Sequence, residues 1–194
     1  MLALIAGTGA LPTEVVAQLA ERPLICAMEG FLPDTLSADV VFPLEQLGSF
    51  IADLKARGVT EICLAGAVRR PPIDPSRIDA ATLPLVPIIQ KAILSGDDGA
   101  LRAVIGILEG AGLHLRAAHE IAPGLLPPVG CLTEAQPSDA DMADADRAAG
   151  ILRAMGAADT GQACAVSKWP PTAQPTFVAV LVSTSSAIAP CSRL

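Results

Sequence analysis

Aromatic side chains are scarce in this chain of 194 residues, which has no tyrosine, one tryptophan and four phenylalanines. Proteins that bind single-stranded nucleic acid stack the bases on aromatic side chains, so this composition argues against that class. Basic residues are also few, since 13 Lys and Arg stand against 20 Asp and Glu and leave a formal net charge of −7. That charge disfavours binding to a phosphate backbone. We therefore expect no nucleic-acid partner.

Cysteine pairs and long apolar runs are also missing. The five cysteines form no C-x-x-C pair, so neither a disulfide framework nor a zinc site is predicted. No stretch of about 20 largely apolar residues occurs, which argues against a membrane-spanning helix. No Lys or Arg precedes Arg22, so we expect no secretory signal peptide to begin here. Together these absences favour a cytoplasmic protein with reduced cysteines.

Hydrophobic residues make up 52% of the chain, which is enough to build a substantial core. Short apolar runs alternate with amphipathic helical patterns through residues 1–120. The predicted strands lie at 2–6, 24–28, 40–42, 59–65 and 113–118. The clearest helical face carries Leu47, Phe50, Ile51 and Leu54. Near-continuous apolar strands separated by helices predict an α/β fold, a Rossmann-like parallel sheet with flanking helices.

Composition divides the chain into four parts. Residues 1–120 form the predicted nucleotide-binding domain, and the proline- and glycine-rich segment 121–137 has the composition of a linker. A helix that starts at Ser138 opens a second, incomplete domain over 138–165. No Asp or Glu follows Asp159, which indicates that 166–194 is an atypical tail. This tail is either a flexible extension or the result of a changed reading frame.

A glycine-containing turn, Gly7-Thr8-Gly9-Ala10-Leu11-Pro12, joins the first predicted strand to a helix. Such a junction presents backbone N–H groups and the positive end of a helix dipole, which suits a phosphate. The dinucleotide fingerprint has a third glycine where this chain has Pro12. The turn therefore predicts a phosphate or nucleotide site more strongly than a site for NAD. The alternative is an ordinary βα turn.

A second glycine loop follows the predicted strand 59–65 and reads Gly66-Ala67-Val68-Arg69-Arg70. Ligands of parallel sheets bind beyond the carboxyl ends of the strands, where Arg69 and Arg70 are able to hold a phosphate bidentately. The alternative is a solvated turn with surface arginines.

Two pairs of titratable residues complete the candidate chemistry. Asp97 and Asp98 precede an amphipathic helix, and one of them is expected to cap it while the other binds Mg²⁺ or a substrate hydroxyl. His119 and Glu120 follow the last predicted strand, and a histidine beside a carboxylate serves as a general acid or base. The alternative for His119 is a hydrogen-bonded structural role.

Six short motifs occur in a fixed order along residues 1–165. They are Gly7-Thr8-Gly9-Ala10-Leu11-Pro12, Ala65-Gly66-Ala67-Val68-Arg69-Arg70-Pro71, Gly96-Asp97-Asp98 with Leu101-Arg102, Ala118-His119-Glu120, Met142-Ala143-Asp144-Ala145-Asp146 and Thr160-Gly161-Gln162. Together they resemble the LpxI-type UDP-2,3-diacylglucosamine pyrophosphatases of lipid A biosynthesis.

The resemblance implies a bacterial Mg²⁺-dependent hydrolase that splits UDP-2,3-diacylglucosamine into UMP and 2,3-diacylglucosamine 1-phosphate. It implies catalytic roles for Asp97, Asp98, His119 and Glu120, with Asp98 as a metal ligand. The substrate-binding residues that it implies are Gly7, Gly9, Ala10, Leu11, Gly66, Ala67, Val68, Arg69, Arg70 and Arg102. We also expect a homodimer, and contact with the inner membrane through the acylated substrate.

One departure from the family stands out. Its members continue past the T-G-Q segment into a G-T-D-x-M-L motif, and nothing after Gln162 matches it. The sequence therefore predicts impaired hydrolysis, or a nucleotide-sugar binding module without catalysis. A Rossmann-type NAD(P) oxidoreductase is a further alternative, with Glu29 holding the ribose hydroxyls. The apolar run 83–89 either lines a groove for acyl chains or belongs to the core.

Overall fold

The computed structural model describes residues 1–69, 72–94, 97–158, 160, 163–166 and 178–181, with the backbone alone at 92–94, 97–98 and 178–181. The chain divides into two compact units, Met1–Pro127 and Pro128–Leu194. The boundary between them falls inside the segment 121–137, which the sequence predicts as a linker.

The first unit is built on a five-stranded parallel sheet. Its strands are β1 (Leu2–Ala6), β2 (Leu24–Met28), β3 (Val40–Phe42), β4 (Glu61–Ala65) and β5 (His114–Leu115). Their order is β3-β2-β1-β4-β5, which places β1 at the centre. This arrangement confirms the α/β fold that the alternating pattern predicts. The first three strands have the predicted bounds, whereas β4 starts two residues later than expected.

The described residues of this unit form five helices. They are α1 (Leu11–Ala17), α2 (Leu47–Ala56), α3 (Val86–Leu94), α4 (Asp97–Gly110) and α5 (Ala118–Ile121). Single 3₁₀ turns lie at Leu44–Gln46, Pro75–Arg77, Leu83–Leu85 and Pro123–Leu125. The predicted apolar face of α2 is confirmed, because all four of its residues are buried. In α4, Ile107 and Leu108 are buried, whereas Leu101 is 49% exposed.

The core fills both faces of the sheet. Side chains of α2 and α4 pack on one face, where the rings of Phe42 and Phe50 stack with their centroids 3.7 Å apart. Residues of α1 and α5 pack on the other face. Cys26 and Cys63 point into these layers, and burial raises the pKa of their thiols to about 12 and about 11. These two cysteines are small core residues.

The strand β5, the last of this sheet, is much shorter than the predicted 113–118. It pairs only with Glu61 and Ile62, at the start of β4. The chain then turns into α5, where the Glu120 carboxylate accepts the backbone N–H of Ala117 at 3.0 Å. This bond caps the first turn of a helix, so the extended conformation ends before it. The prediction of a strand reaching residue 118 is therefore wrong.

The second unit contains the helix α6 (Asp139–Ala157) and two strands, β6 (Ala163–Val166) and β7 (Val178–Leu181), which pair antiparallel. Ser138 caps α6 as predicted, since its hydroxyl accepts the N–H of Asp141 while the Asp141 carboxylate accepts the N–H of Ser138. Of the predicted tail 166–194, only Val166 and the backbone of β7 lie within the described residues.

Across the described parts of both units, no helix has the length and apolar character that crossing a membrane requires. Among the same residues, Cys26, Cys63, Cys131 and Cys164 are all free thiols.

Candidate functional site at the carboxyl edge of the sheet

The centre of the sheet is a topological switch point. The connection after β1 leads towards β2 on one side, and the connection after β4 leads towards β5 on the other. Crevices that bind ligands in open α/β sheets form where neighbouring connections diverge in this way. The structure therefore brings the glycine turn 7–11 and the loop 66–69 together at one edge of the sheet.

Backbone hydrogen bonds join these two segments directly. The N–H of Gly7 donates to the carbonyl oxygen of Ala65 at 2.8 Å, which extends the pairing of β1 and β4. Beyond it, Thr8 and Ala67 bond to each other through their backbones. The N–H groups of Gly7, Thr8 and Ala67 are thus engaged within the protein. A ligand must use other donors at this edge.

Glycine is required at two of these positions. A Cβ atom on Gly7 would lie 2.5 Å from the carbonyl oxygen of Ala67. A Cβ on Gly66 would lie 2.7 Å from the carbonyl carbon of Gly7, and Gly66 has a φ of +92°. Both contacts are with backbone atoms, which cannot rotate away. The glycines of the predicted phosphate loops therefore allow the two loops to approach each other.

Gly9 and its surroundings show a contact that the sequence did not indicate. Gly9 has a φ of +97°, and its N–H donates to Oδ2 of Asp34 at 3.1 Å. The hydroxyl groups of Thr13 and Thr35 also form a hydrogen bond. Asp34 and Thr35 belong to the connection between β2 and β3, which therefore passes beside the glycine turn. Sequence reasoning missed Asp34 because it lies in a loop without a periodic pattern.

The remaining residues of the two loops face solvent. Ala10 precedes α1 without a side-chain cap, and Leu11 is 41% exposed at the start of that helix. Val68 is 43% exposed, and Ala67 and Arg69 are exposed beside it. Arg70, the second predicted phosphate ligand, lies outside the described residues.

The predicted acidic pair lies at the start of α4. This helix begins at Asp97, so Asp97 and Asp98 both fall within its first turn rather than before it. Because α4 leads into β5, which runs parallel to the other strands, its first turn lies towards the carboxyl edge of the sheet. Arg102 is exposed one helical turn after Asp98. The side chains of Asp97 and Asp98 are not described, so the metal role of Asp98 stays a prediction.

His119 and Glu120 lie in the short helix α5, which follows β5. Arg116 joins the Glu120 carboxylate, at 3.3 Å from Nε, to the Glu61 carboxylate, at 2.8 Å from Nη1. Glu61 is the first residue of β4, whereas Gly66 follows the last. The Ala117 N–H and the Arg116 guanidinium hold the pKa of the Glu120 carboxyl below its usual range. His119 is half-buried next to it.

Glu29, the sequence candidate for a ribose-binding acid, is engaged elsewhere. Its carboxylate forms an ion pair with Arg77, with Oε2 at 2.6 Å from Nη2. Arg77 lies in the connection between β4 and α4, which places the partner 48 residues away in sequence. A carboxylate held by a guanidinium is a poor acceptor for ribose hydroxyls, and this disfavours the oxidoreductase alternative.

An apolar cleft of about 600 Å³ lies on the other face of the sheet from α1, between α2, α3 and α4. None of its lining residues carries a polar side chain. They are Gly48, Ile51, Ala81, Leu85, Ile88, Ala103, Gly106, Ile107, Gly110 and Ala111. The sequence left two alternatives for the apolar run 83–89, a groove or the core. In the structure, Leu85 and Ile88 line this cleft, while Ile89 packs against the core.

Comparison with known proteins identifies the family of this chain. Residues 1–125 match the family model of the LpxI N-terminal domain, which corresponds closely to the first unit. The chain is also 34% identical, over 172 residues, to UDP-2,3-diacylglucosamine pyrophosphatase LpxI of Caulobacter vibrioides. That match covers 85% of this chain and 61% of the relative. The resemblance seen in the sequence motifs is thus confirmed, and the chain belongs to the LpxI family.

Proposed function

We propose that this chain hydrolyses the diphosphate bond of UDP-2,3-diacylglucosamine and releases UMP and 2,3-diacylglucosamine 1-phosphate. The observation that carries the proposal is its membership of the LpxI family, together with its 34% identity to the Caulobacter UDP-2,3-diacylglucosamine pyrophosphatase. The paired glycine loops at the carboxyl edge of the sheet support it, because phosphorylated ligands of α/β proteins bind at such edges.

The diphosphate is proposed to lie on the β4 side of the crevice. Gly66, Ala67 and Val68 are exposed there, and Arg69 with Arg70 would supply guanidinium groups that match phosphate oxygens in geometry and charge. Arg102 would add a third positive charge from α4. The nucleoside would then lie on the β1 side, against Gly7, Gly9, Ala10 and Leu11.

Proton transfer is proposed to involve His119 more than Glu120. The Glu120 carboxylate caps α5 and pairs with Arg116, and both contacts favour its ionised form. A group so stabilised as the anion is a weak general base. In this proposal Glu120 fixes the turn that carries His119, and the histidine assists the water that attacks phosphorus as the bond to the bridging oxygen breaks.

Mg²⁺ is proposed to bind at Asp98 with the help of Asp97. The described side chains contain no group of three or more His, Cys, Asp or Glu that is able to hold a metal ion. Mg²⁺ usually takes one or two carboxylates together with phosphate oxygens and water, so the proposed site needs the substrate to complete it. When bound, the ion would neutralise negative charge that develops on the diphosphate.

The apolar cleft supports an amphiphilic substrate. Its ten lining residues carry no polar side chain and offer mostly apolar surface, which suits a fatty acyl chain. Leu85 and Ile88 line the cleft, and Leu83 beside them is 58% exposed. We propose that an acyl chain of the substrate lies here. Peripheral contact with the inner membrane through this substrate, a cytoplasmic location and a homodimer complete the proposal.

The test is release of UMP from UDP-2,3-diacylglucosamine by the purified chain, measured with Mg²⁺ and with EDTA. Release that needs the metal supports the proposal. Asp98→Asn is expected to abolish it, whereas Asp53→Asn, at an exposed carboxylate of α2, is expected to leave it unchanged. Binding of the substrate without release would favour a nucleotide-sugar binding module. If the chain neither releases UMP nor binds the substrate, the proposed function is wrong.

A further inference from the structure

The connection between β2 and β3 is fixed beside the glycine turn. Pro33 is buried, and Leu36 and Ala38 pack against the core of the α1 face. Between these anchors, Asp34 and Thr35 are exposed. Their side chains contact Gly9 and Thr13, the residues on either side of the start of α1. The Asp34 carboxylate is thus held at one defined place in the crevice.

The two oxygens of this carboxylate have different surroundings. Oδ2 accepts the N–H of Gly9 at 3.1 Å, while Oδ1 accepts no hydrogen bond from any residue in the part of the chain that the structure describes. An exposed carboxylate has capacity for several donors and donates none itself when ionised. The group therefore presents acceptors to the crevice. A hydroxyl fits this position, whereas a phosphate would meet a negative charge.

The position along the sheet also matters. In dinucleotide-binding folds, a carboxylate near the end of β2 holds the ribose hydroxyls of the nucleoside that lies over the β1 turn. Glu29 directly follows β2 here, but Arg77 occupies its carboxylate. Asp34 lies five residues further along the chain and reaches the glycine turn itself.

We propose that Asp34 binds the ribose hydroxyls of the uridine moiety and so makes the crevice selective for a ribonucleotide. The inference rests on the proposed function, because it takes the ligand to be a uridine nucleotide. In this arrangement the Gly9 N–H orients the carboxylate and the ribose diol donates to it. The diphosphate lies further along, on the side of the Gly66 loop.

The experiment compares binding of UMP and 2′-deoxyuridine monophosphate by calorimetry. The wild-type chain is expected to bind UMP about tenfold more tightly, a difference of about 1.4 kcal/mol. Asp34→Ala is expected to bind both ligands equally and to bind UMP about tenfold more weakly than the wild type. Asp34→Asn, which keeps the shape of the side chain, is expected to lose most of the preference. Glu29→Gln is the matched control and is expected to keep the preference.

Other results would overturn the inference. If Asp34→Ala binds both nucleotides more tightly, the carboxylate competes with phosphate at the turn instead of binding ribose. A wild-type chain that binds UMP without preferring it also rules out the role of Asp34, while leaving the proposed function intact. A wild-type chain that binds no uridine nucleotide overturns both. Preference for UMP that is lost in Asp34→Ala, without hydrolysis of the full substrate, upholds the inference and rejects the hydrolase.

Discussion

Thr8 and Ala67 are joined by two backbone hydrogen bonds. The N–H of Thr8 donates to the carbonyl oxygen of Ala67 at 3.0 Å, and the N–H of Ala67 donates to the carbonyl oxygen of Thr8 at 2.9 Å. The Thr8 hydroxyl adds a third bond to the carbonyl oxygen of Ala67 at 3.2 Å. The two residues belong to different loops and lie 59 positions apart. The glycine turn and the Gly66 loop are therefore one connected piece of backbone, and a change in either is expected to move the other.

Replacing Gly66 with alanine is expected to destabilise the first unit by more than the backbone strain of a positive φ explains. The φ of +92° costs an L-residue about 1–2 kcal/mol, and the new Cβ would also meet the backbone of Gly7 at 2.7 Å. Gly112→Ala is the matched control, because Gly112 has a φ of +85° and nothing within 4 Å of an added Cβ. Urea denaturation measures both. If Gly66→Ala and Gly112→Ala lose the same unfolding free energy, the close approach of the two loops is contradicted.

Asp39 is expected to stabilise the fold in a manner that depends on pH. Its carboxylate accepts the N–H of Ile25 at 2.8 Å and pairs with Arg22, and the Arg22 hydrogen bond first, then the Ile25 bond, lowers the pKa of Asp39. Asp39→Asn is expected to lower the unfolding free energy at pH 7 by about 1–2 kcal/mol.

The sign of the pH effect follows from the lowered pKa. The stabilisation is present above the unfolded-state pKa of about 3.9 and is lost as the pH falls through the lower folded-state value. The difference in unfolding free energy between the wild type and Asp39→Asn should therefore become smaller towards pH 3. Asp53→Asn serves as the control, because the Asp53–Arg57 pair is exposed and such pairs contribute little. A difference that stays constant with pH would refute the argument.

The cysteines are expected to differ in reactivity. Burial raises the pKa of Cys26 and Cys63, whereas hydrogen bonds with Thr133 lower the pKa of the exposed Cys131. Because the thiolate is the nucleophile, iodoacetamide at pH 8 should label Cys131 before Cys26 and Cys63. Cys26 and Cys63 should react only after denaturation. Mass spectrometry of the peptides measures this order, and rapid labelling of Cys63 in the folded protein would contradict it.

Substitutions at His119 and Glu120 are expected to separate catalysis from positioning. His119→Asn should reduce UMP release by about 100-fold or more, the range of a lost general acid or base. Glu120→Gln should reduce it less, by under tenfold, and should also lower the melting temperature, because the ion pair with Arg116 is lost and the amide accepts the Ala117 N–H more weakly. The reverse order of rates would assign the proton transfer to Glu120.

Filling the apolar cleft is expected to affect long acyl chains selectively. An added Cβ at Gly106 meets nothing within 4 Å, so Gly106→Ala should fold well. It is the reference variant, because it carries the helix-stabilising effect of losing the glycine, about 1 kcal/mol, without a large side chain in the cleft. Gly106→Leu should narrow the cleft and raise the KM for the long-chain substrate. A short-chain analogue should be hydrolysed equally by both variants. An equal loss for both substrates would argue against an acyl chain in the cleft.

The sequence predicted local elements well because their signals are local. The strand β1, the turn after it and the face of α2 each follow from residues within a few positions of one another. The strand β5 was predicted too long because Leu113 to Ala118 look uniformly extended, while the cap that ends it comes from Glu120. Nothing in the residues 113–118 themselves encodes that cap.

The candidate site was predicted only in part for a related reason. Both glycine loops were expected at one edge, since parallel strands place their carboxyl ends together. The engagement of Glu29 by Arg77, 48 residues away, and of Gly9 by Asp34, 25 residues away, depends on the path of two irregular loops. Such contacts have no periodicity, so a single sequence did not indicate them.

The central position of β1 has a consequence for synthesis of the chain. This strand is synthesised before both of its neighbours and gains β2 early, but its other edge pairs with Glu61–Ala65. A nascent chain must therefore keep one edge of its central strand unpaired until β4 has been made. Closing long loops slows folding, and unpaired strand edges pair with other chains. The nascent chain is therefore most exposed to misassembly between the synthesis of β1 and that of β4.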